Sequence, residues 1–234
     1  MYTLNQQQLD DLLLGATALA TGGGCVYEQK TQMLQQMNVE AISILEASDI
    51  APDDCLCTVY AVGPTSVQDD DLEERLRIGC AAVETVSGKK LTAIFIGELG
   101  AEHLAMKAAS LLNVSVVDAD GTGGRAVPEI VQDQFVLARR NTTPAIIVTK
   151  DGEIEIIQQL EPQALEARIR DIAVRTQSLV LVFDHLMNGS DLSLLSCGNL
   201  KRARDIGTIL RERDVNALLT LGFTLIDEAR VLSI

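Results

Sequence analysis

The sequence has no tryptophan, only three tyrosines and four phenylalanines among 234 residues. So few aromatics leave little with which to stack nucleic-acid bases, and the core must be built from Leu, Ile, Val and Ala. Basic residues are also scarce: 19 Lys and Arg stand against 33 Asp and Glu, a formal net charge of −14. A phosphate-binding face needs clustered positive charge, so the balance argues against nucleic acid and anionic membrane as partners. No apolar run approaches the roughly 20 residues that span a bilayer. The opening MYTLNQQQLDD lacks the basic start and apolar stretch of a secretory signal. Cysteines are sparse and odd in number, at 25, 55, 57, 80 and 197, which reads as reduced thiols in a cytoplasmic protein. No Walker sequence, HExxH or GxSxG elbow occurs.

What is present is an aliphatic, globular chain, 47% hydrophobic. Leu9, Leu12, Leu13 and Ala16 recur at helical spacing over 5–20, with Asn5 as N-cap, until Thr21-Gly22-Gly23-Gly24 breaks the helix. A second helix is expected to about 37, strands over 39–45 and 56–62, and a helix from the acidic run at 69–71 to about 86. The clearest unit is a strand at 91–97, a helix at 101–112 and a strand at 114–117, a βαβ unit of continuous apolar strands that predicts a parallel sheet covered on both faces. Strands at 145–149 and 153–157 flank an Asp-Gly turn. A helix over 162–177, a strand over 179–183 and a helix over 200–213 follow, with a soft domain boundary near 161.

In an open α/β sheet, ligands sit beyond the carboxyl ends of parallel strands. Here one such end runs into Glu98-Leu99-Gly100, and the other into Asp118-Ala119-Asp120-Gly121-Thr122-Gly123-Gly124-Arg125, followed by Pro128-Glu129. If the two strands are neighbours, Glu98 and Asp118 share a rim, where close carboxylates raise one another's proton affinity or share a cation. Three other readings compete for the second loop. Gly121 to Ala126 fits a lax dinucleotide fingerprint, although no helix opens on it. Asp118, Asp120, Thr122, Gly123 and Glu129 fall at the spacing of a calcium loop, in the wrong context. The plainest alternative is a glycine-rich turn whose aspartates accept backbone N–H groups.

TGGGC at 21–25, GEL at 97–99 and NVSVVDADGTGGRAVPE at 113–129 together resemble the S-methyl thiohydantoin desulfurase-like family, long catalogued as a domain of unknown function and associated with hydantoinase and oxoprolinase proteins. The resemblance spans about 5–215 and implies a layered α/β/α sandwich N-terminal domain over 1–160. It implies that 161–234 begin a β-rich second domain, with 186–189 and 204–207 as its start. That domain would need roughly another hundred residues, so it is expected to be shortened or missing. The chain departs from the family pattern at Cys25, at Val26-Tyr27, at Gly100-Ala101-Glu102-His103 and in the placing of Arg125.

The resemblance further implies hydrolysis at a hydantoin or S-methyl thiohydantoin ring by activated water, with release of a thiol. The catalytic candidates are Glu98, Asp118, Asp120 and Arg125. Substrate-binding candidates are Thr21, Gly22, Gly23, Gly24, Gly121, Gly123, Gly124 and Glu129. Asp118 or Glu98 would act as base, or Asp118, Asp120 and His103 would hold a divalent metal such as zinc that acidifies water. Arg125 would grip a ring carbonyl, or else pair with Glu129 or Asp120 to shut the loop. The glycine N–H groups at 22–24 would receive an oxyanion. His103 also reads as an exposed first-turn histidine, Cys25 and Cys80 as buried thiols, and Cys55-x-Cys57 as core. His185, beside Asp184 at another strand end, is a weaker candidate for the same rim. The competing function is a non-catalytic accessory or ligand-binding subunit of a hydantoinase/oxoprolinase system. In either reading the substrate or ligand is a small cyclic amide, and a homo-oligomer is expected.

Overall fold

In the computed structural model, which describes residues 1–36, 41–64 and 72–226, the apolar segments become the middle of one sheet. Its strands are β1 (Tyr2–Asn5), β2 (Ala41–Leu45), β3 (Cys55–Val62), β4 (Leu91–Ile96), β5 (Ser115–Asp120), β6 (Ala145–Val148), β7 (Ile154–Ile157) and β8 (Val180–Asn188). They lie in the order β1-β2-β5-β4-β3-β8-β6-β7, and the short β9 (Ser196–Cys197) pairs with β5. β2, β5, β4 and β3 run parallel. β8 returns antiparallel beside β3, followed by β6 and β7.

Side chains alternate between the two faces with the strand period of two. Ile94 and Ile96 of β4, Val116 of β5 and Phe183 of β8 pack beneath α1 (Gln6–Ala20), α3 (Leu72–Ser87), α4 (Glu102–Leu112) and α7 (Asn199–Glu212). Their neighbours Ala93, Phe95 and Val117 face the opposite layer, where Phe135 of the short α5 (Gln134–Leu137) covers them. Farther along that layer, Ile147, Val180 and Val182 are covered by Leu165, Ile169 and Ile172 of α6 (Pro162–Thr176). This is the expected layered α/β/α sandwich. Each fully buried aliphatic side chain contributes roughly 1.5–3 kcal/mol of transfer free energy.

Helix α1 starts where Asn5 caps it. The Gln8 N–H donates to Asn5 Oδ1 at 2.9 Å, and the Asn5 N–H donates to Gln8 Oε1 at 3.0 Å. α1 and α7 meet backbone to backbone: a Cβ at Gly15 would overlap the Ala203 carbonyl, and one at Gly207 the Asp11 carbonyl. α2 (Tyr27–Gln36) lies beside α1, and α8 (Val215–Thr220) follows α7.

The boundary expected near 161 does not divide this fold. β8 sits between β3 and β6 in the same sheet, and α7 packs on α1, so 186–207 belong to the first layer system. β5 runs to Asp120 and β8 to Asn188, farther than their apolar stretches suggested, because paired backbone continues through polar residues whose side chains find partners. β1, α5, β9 and α8 were not anticipated, each being too short to show periodicity. The acidic run at 69–71 and the strand start at 39–40 lie outside the described residues.

Candidate functional site

β4 and β5 are neighbours, as the shared rim requires, with Ile96 opposite Asp120. Beyond the carboxyl ends of β3, β4 and β5 opens a cleft of about 1080 Å³. Its walls are the glycine loop before α2, the start of α4, the segment 127–133 and one face of α6. Glu166 and Arg170 of α6 tie that segment down: the Ile130 N–H donates to Glu166 Oε2 at 3.0 Å, and Arg170 donates to the Pro128 carbonyl at 3.2 Å.

Of the catalytic candidates, Glu98 lines the cleft, partly buried. Its Oε2 accepts the Val127 N–H at 2.8 Å. Burial raises its proton affinity, the Val127 N–H opposes that, and the charges of Glu102 and Asp133 add to the rise. Asp118 and Asp120 are on β5 but turn under α7. Asp118 accepts the Leu200 and Lys201 N–H groups at 2.8 and 3.3 Å and the Tyr2 hydroxyl at 2.9 Å. Asp120 accepts the N–H groups of Thr122 and Gly124, each at 2.9 Å, and the Asn199 side-chain amide. Both therefore satisfy backbone donors of the loop and of the α7 N-terminus. Arg125 is exposed and does not line the cleft; its carbonyl, not its guanidinium, is used, accepting from Leu99 N and Thr122 Oγ1.

Among the substrate-binding candidates, Gly22, Gly24 and Glu129 line the cleft, whereas Thr21, Gly23, Gly121, Gly123 and Gly124 do not. Gly24, at φ +72°, is pressed against Gly100, where a Cβ would come within 2.5 Å of the Gly100 Cα. The Cys25 N–H donates to the Gly100 carbonyl at 3.2 Å, locking the two glycine loops together. Behind them, the Lys30 ammonium and the Glu102 carboxylate form an ion pair at 2.7 Å with both side chains at 0% exposure. Glu102 Oε2 also accepts the Gly100 N–H at 2.6 Å. Cys25 is half-buried in the cleft wall, and burial raises its thiol pKa, which keeps it protonated.

His103 is buried rather than exposed, and it faces the cleft from the first turn of α4. Burial pushes its pKa down to about 4, so the ring is neutral, and Nδ1 has no hydrogen-bond partner among the described residues. The proposed metal set does not assemble. His103 is at the cleft while Asp118 and Asp120 are committed to α7, and among the described residues no three His, Cys, Asp or Glu side chains gather. These residues do not fit a resident zinc.

The group least visible in sequence sits on the cleft floor. β8 bulges against β3: Thr58 faces Asp184 but Leu56 faces Met187, so one residue of β3 opposes His185 and Leu186. His185 takes φ +50° there, a left-handed backbone unusual for a residue with a Cβ. Asp184 Oδ1 holds His185 Nδ1 at 2.6 Å, and the Tyr60 hydroxyl donates to Asp184 Oδ2 at 2.8 Å. Asp133 Oδ1 lies 3.3 Å from Nε2 while capping α5 through the Phe135 N–H. The ring stands edge-on to Phe95 and tilted against Phe135. Burial alone would lower its pKa, but Asp184 and Asp133 outweigh that and raise it to about 10, so His185 is an imidazolium at neutral pH. The only sequence signal was an adjacent Asp-His pair inside an apolar strand; Tyr60 and Asp133 gave none.

A protein from Chromobacterium violaceum, known from its crystal structure, is similar to this chain, with a TM-score of 0.81 and 23% identity over 94% of this chain. At that identity the likeness is one of fold, and this chain spans 65% of the other's length. No curated protein matches the sequence. No helix of the described residues is long and apolar enough to cross a membrane. Residues 7–159, which supply β2 to β7, the glycine loop and Glu98, match the S-Me-THD-like N-terminal domain. With more than half of its length inside that match, the chain belongs to the S-Me-THD-like, or S-methyl thiohydantoin desulfurase-like, family.

Proposed function

We propose that the protein is a hydrolase of a hydantoin-type ring, with an S-methyl thiohydantoin or closely related cyclic amide bound in the cleft at the carboxyl ends of β3, β4 and β5. The observation that carries this reading is Glu98, a carboxylate of raised proton affinity at the strand end, facing a cleft lined also by Gly22, Gly24 and a neutral histidine. Glu98 takes a proton from water, and the water oxygen bonds to the ring carbon that carries sulfur. The carbon–sulfur bond then breaks. One water proton ends on the ring nitrogen and the other on sulfur, leaving a hydantoin and a thiol. The backbone at Gly22 and Gly24 supports the ring carbonyl, the role of an oxyanion site. Asp118, Asp120 and Arg125 act in this scheme as the scaffold of the loop that presents Val127 to Glu98.

Incubating the protein with S-methyl thiohydantoin and following free thiol with a chromogenic disulfide tests this directly. Turnover that drops at least a hundredfold in Glu98→Gln is expected. An inert wild-type protein, or a Glu98→Gln variant of full activity, would remove the proposal. The accessory-subunit reading draws on a different observation: Leu219, Leu221, Phe223, Leu225 and Ile226 are all exposed after α7. Stoichiometric co-purification with a hydantoinase/oxoprolinase partner, by a protein inert on its own, would favour it.

A further inference from the structure

We propose that His185 is the catalytic acid of the cleft, donating a proton through Nε2 to the departing sulfur, with Asp184, Asp133 and Tyr60 as its positioning residues. This rests on the ring-hydrolysis reading and names the group that the reading still needs. An alkyl thiolate is a basic leaving group, so breaking the carbon–sulfur bond at neutral pH calls for a proton at sulfur.

Four independent observations converge on His185. The β8 bulge and the left-handed φ re-aim one side chain away from its strand register, a strained arrangement that recurs beside active sites. Nδ1 is fixed by Asp184, which is itself fixed by Tyr60, so the ring is held in one orientation and Nε2, with Asp133 Oδ1 at 3.3 Å, is the nitrogen less tightly bound. Nε2 is buried, has among the described residues only Asp133 Oδ1 near it, at 3.3 Å and without a well-formed hydrogen bond, and belongs to a residue that lines the cleft. A buried donor held only by so long a contact gains from a bound acceptor that meets it at hydrogen-bond distance. Finally, the charged groups around the ring are acidic: Asp184 on β8 and Asp133 at the α5 cap, with the Tyr60 hydroxyl behind Asp184. They hold the proton on the ring until an acceptor arrives.

The electron and proton balance closes. Collapse of the tetrahedral adduct sends the carbon–sulfur pair to sulfur, which takes the Nε2 proton and leaves as a thiol. The neutral imidazole then recovers a proton from the adduct's hydroxyl as the carbonyl forms. The proton that Glu98 took from water passes to the ring nitrogen.

The test compares two leaving groups in wild type and His185→Gln. Methanethiolate needs a proton to leave, whereas 4-nitrothiophenolate does not. His185→Gln should lose 10²- to 10⁴-fold in kcat on the S-methyl ring yet stay within about tenfold of wild type on the S-(4-nitrophenyl) ring. Asp184→Asn should move the alkaline limb of the kcat–pH profile down by at least one unit. Asp133→Asn, which keeps an acceptor for the α5 cap, should do the same should the other variants not fold. Since the chain holds only two histidines, nitrogen-15 imidazole spectra assign both rings, and His185 should carry protons on both nitrogens at pH 7. Equal losses on the two substrates, or a neutral His185 at pH 7, would overturn the assignment and leave ring hydrolysis standing. A wild-type protein inert toward both substrates would overturn the hydrolase reading and the catalytic role together.

Discussion

Lys30→Met is the perturbation that best measures how the cleft is held. Lys30 and Glu102 sit at 0% exposure with 2.7 Å between charged atoms. The ammonium also reaches Thr17 Oγ1 at 3.3 Å, and Glu102 holds the Gly100 N–H, so one pair joins α1, α2 and α4 to the glycine loops. Removing the ammonium leaves a buried carboxylate for which, among the described residues, the Gly100 N–H is the one strong donor. Breaking a buried pair in this way costs about 3–5 kcal/mol. In a protein of this length each kcal/mol moves the melting point by roughly 2–4 °C, so a fall of about 6–20 °C is expected. Equilibrium urea unfolding supplies the free energy, with the slope m checking that the two end states are unchanged. The double variant Lys30→Met/Glu102→Gln retains an acceptor for Gly100 and buries no charge, and should recover at least half of the loss. Hydrogen exchange at Gly24 and Cys25 should quicken in the single variant and slow again in the double. A single variant within 1 kcal/mol of wild type would refute the reasoning, as would a double variant no more stable than the sum of the single losses predicts.

Three further outcomes are expected. His103 is neutral in the folded protein, with its pKa pushed to about 4, whereas an unfolded histidine takes up its proton near 6.5. Its contribution is therefore complete above about pH 6.5 and lost as pH falls toward 4, on the order of 3 kcal/mol. The stability difference between wild type and His103→Gln should narrow over that window in urea titrations, and a difference independent of pH would contradict it. Asp120→Asn weakens acceptance from the Thr122 and Gly124 N–H groups and should lower stability by about 1–3 kcal/mol in the same assay. Gly15→Ala forces a methyl group into the Ala203 carbonyl and should cost about 1–3 kcal/mol or more, read as a lower melting point, while Ala substitution at the unobstructed Gly88, despite its positive φ, should cost less.

The same physics explains which parts of the molecule were legible in the chain. Strands β3, β4 and β6 and helices α1, α4, α6 and α7 announce themselves because burial on a sheet face or a helix stripe writes a period into the sequence. The rim shared by β4 and β5 followed from the βαβ rule alone. What period and rule cannot say is which later segment fills the space above a strand end. Asp118 and Ile96 point to the same side of the sheet as Val116, so Asp118 and Glu98 looked equivalent. They differ because α7, arriving 82 residues downstream, brings its N-terminal N–H groups over Asp118, while the start of α4 leaves Glu98 facing open space. An aspartate that meets a helix N-terminus is a cap, and a glutamate that meets a cavity is a candidate reagent; the residues alone do not separate the two cases. His185 was obscured for the opposite reason. Its strand reads as nearly continuous apolar sequence, and only the bulge against β3 turns the ring toward the cleft and Asp133. A bulge is a disagreement in register between two strands more than a hundred residues apart, and neither strand carries a record of it by itself. The acid and the base of the proposed reaction thus become distinguishable only where long-range pairing decides what each carboxylate and each ring can touch.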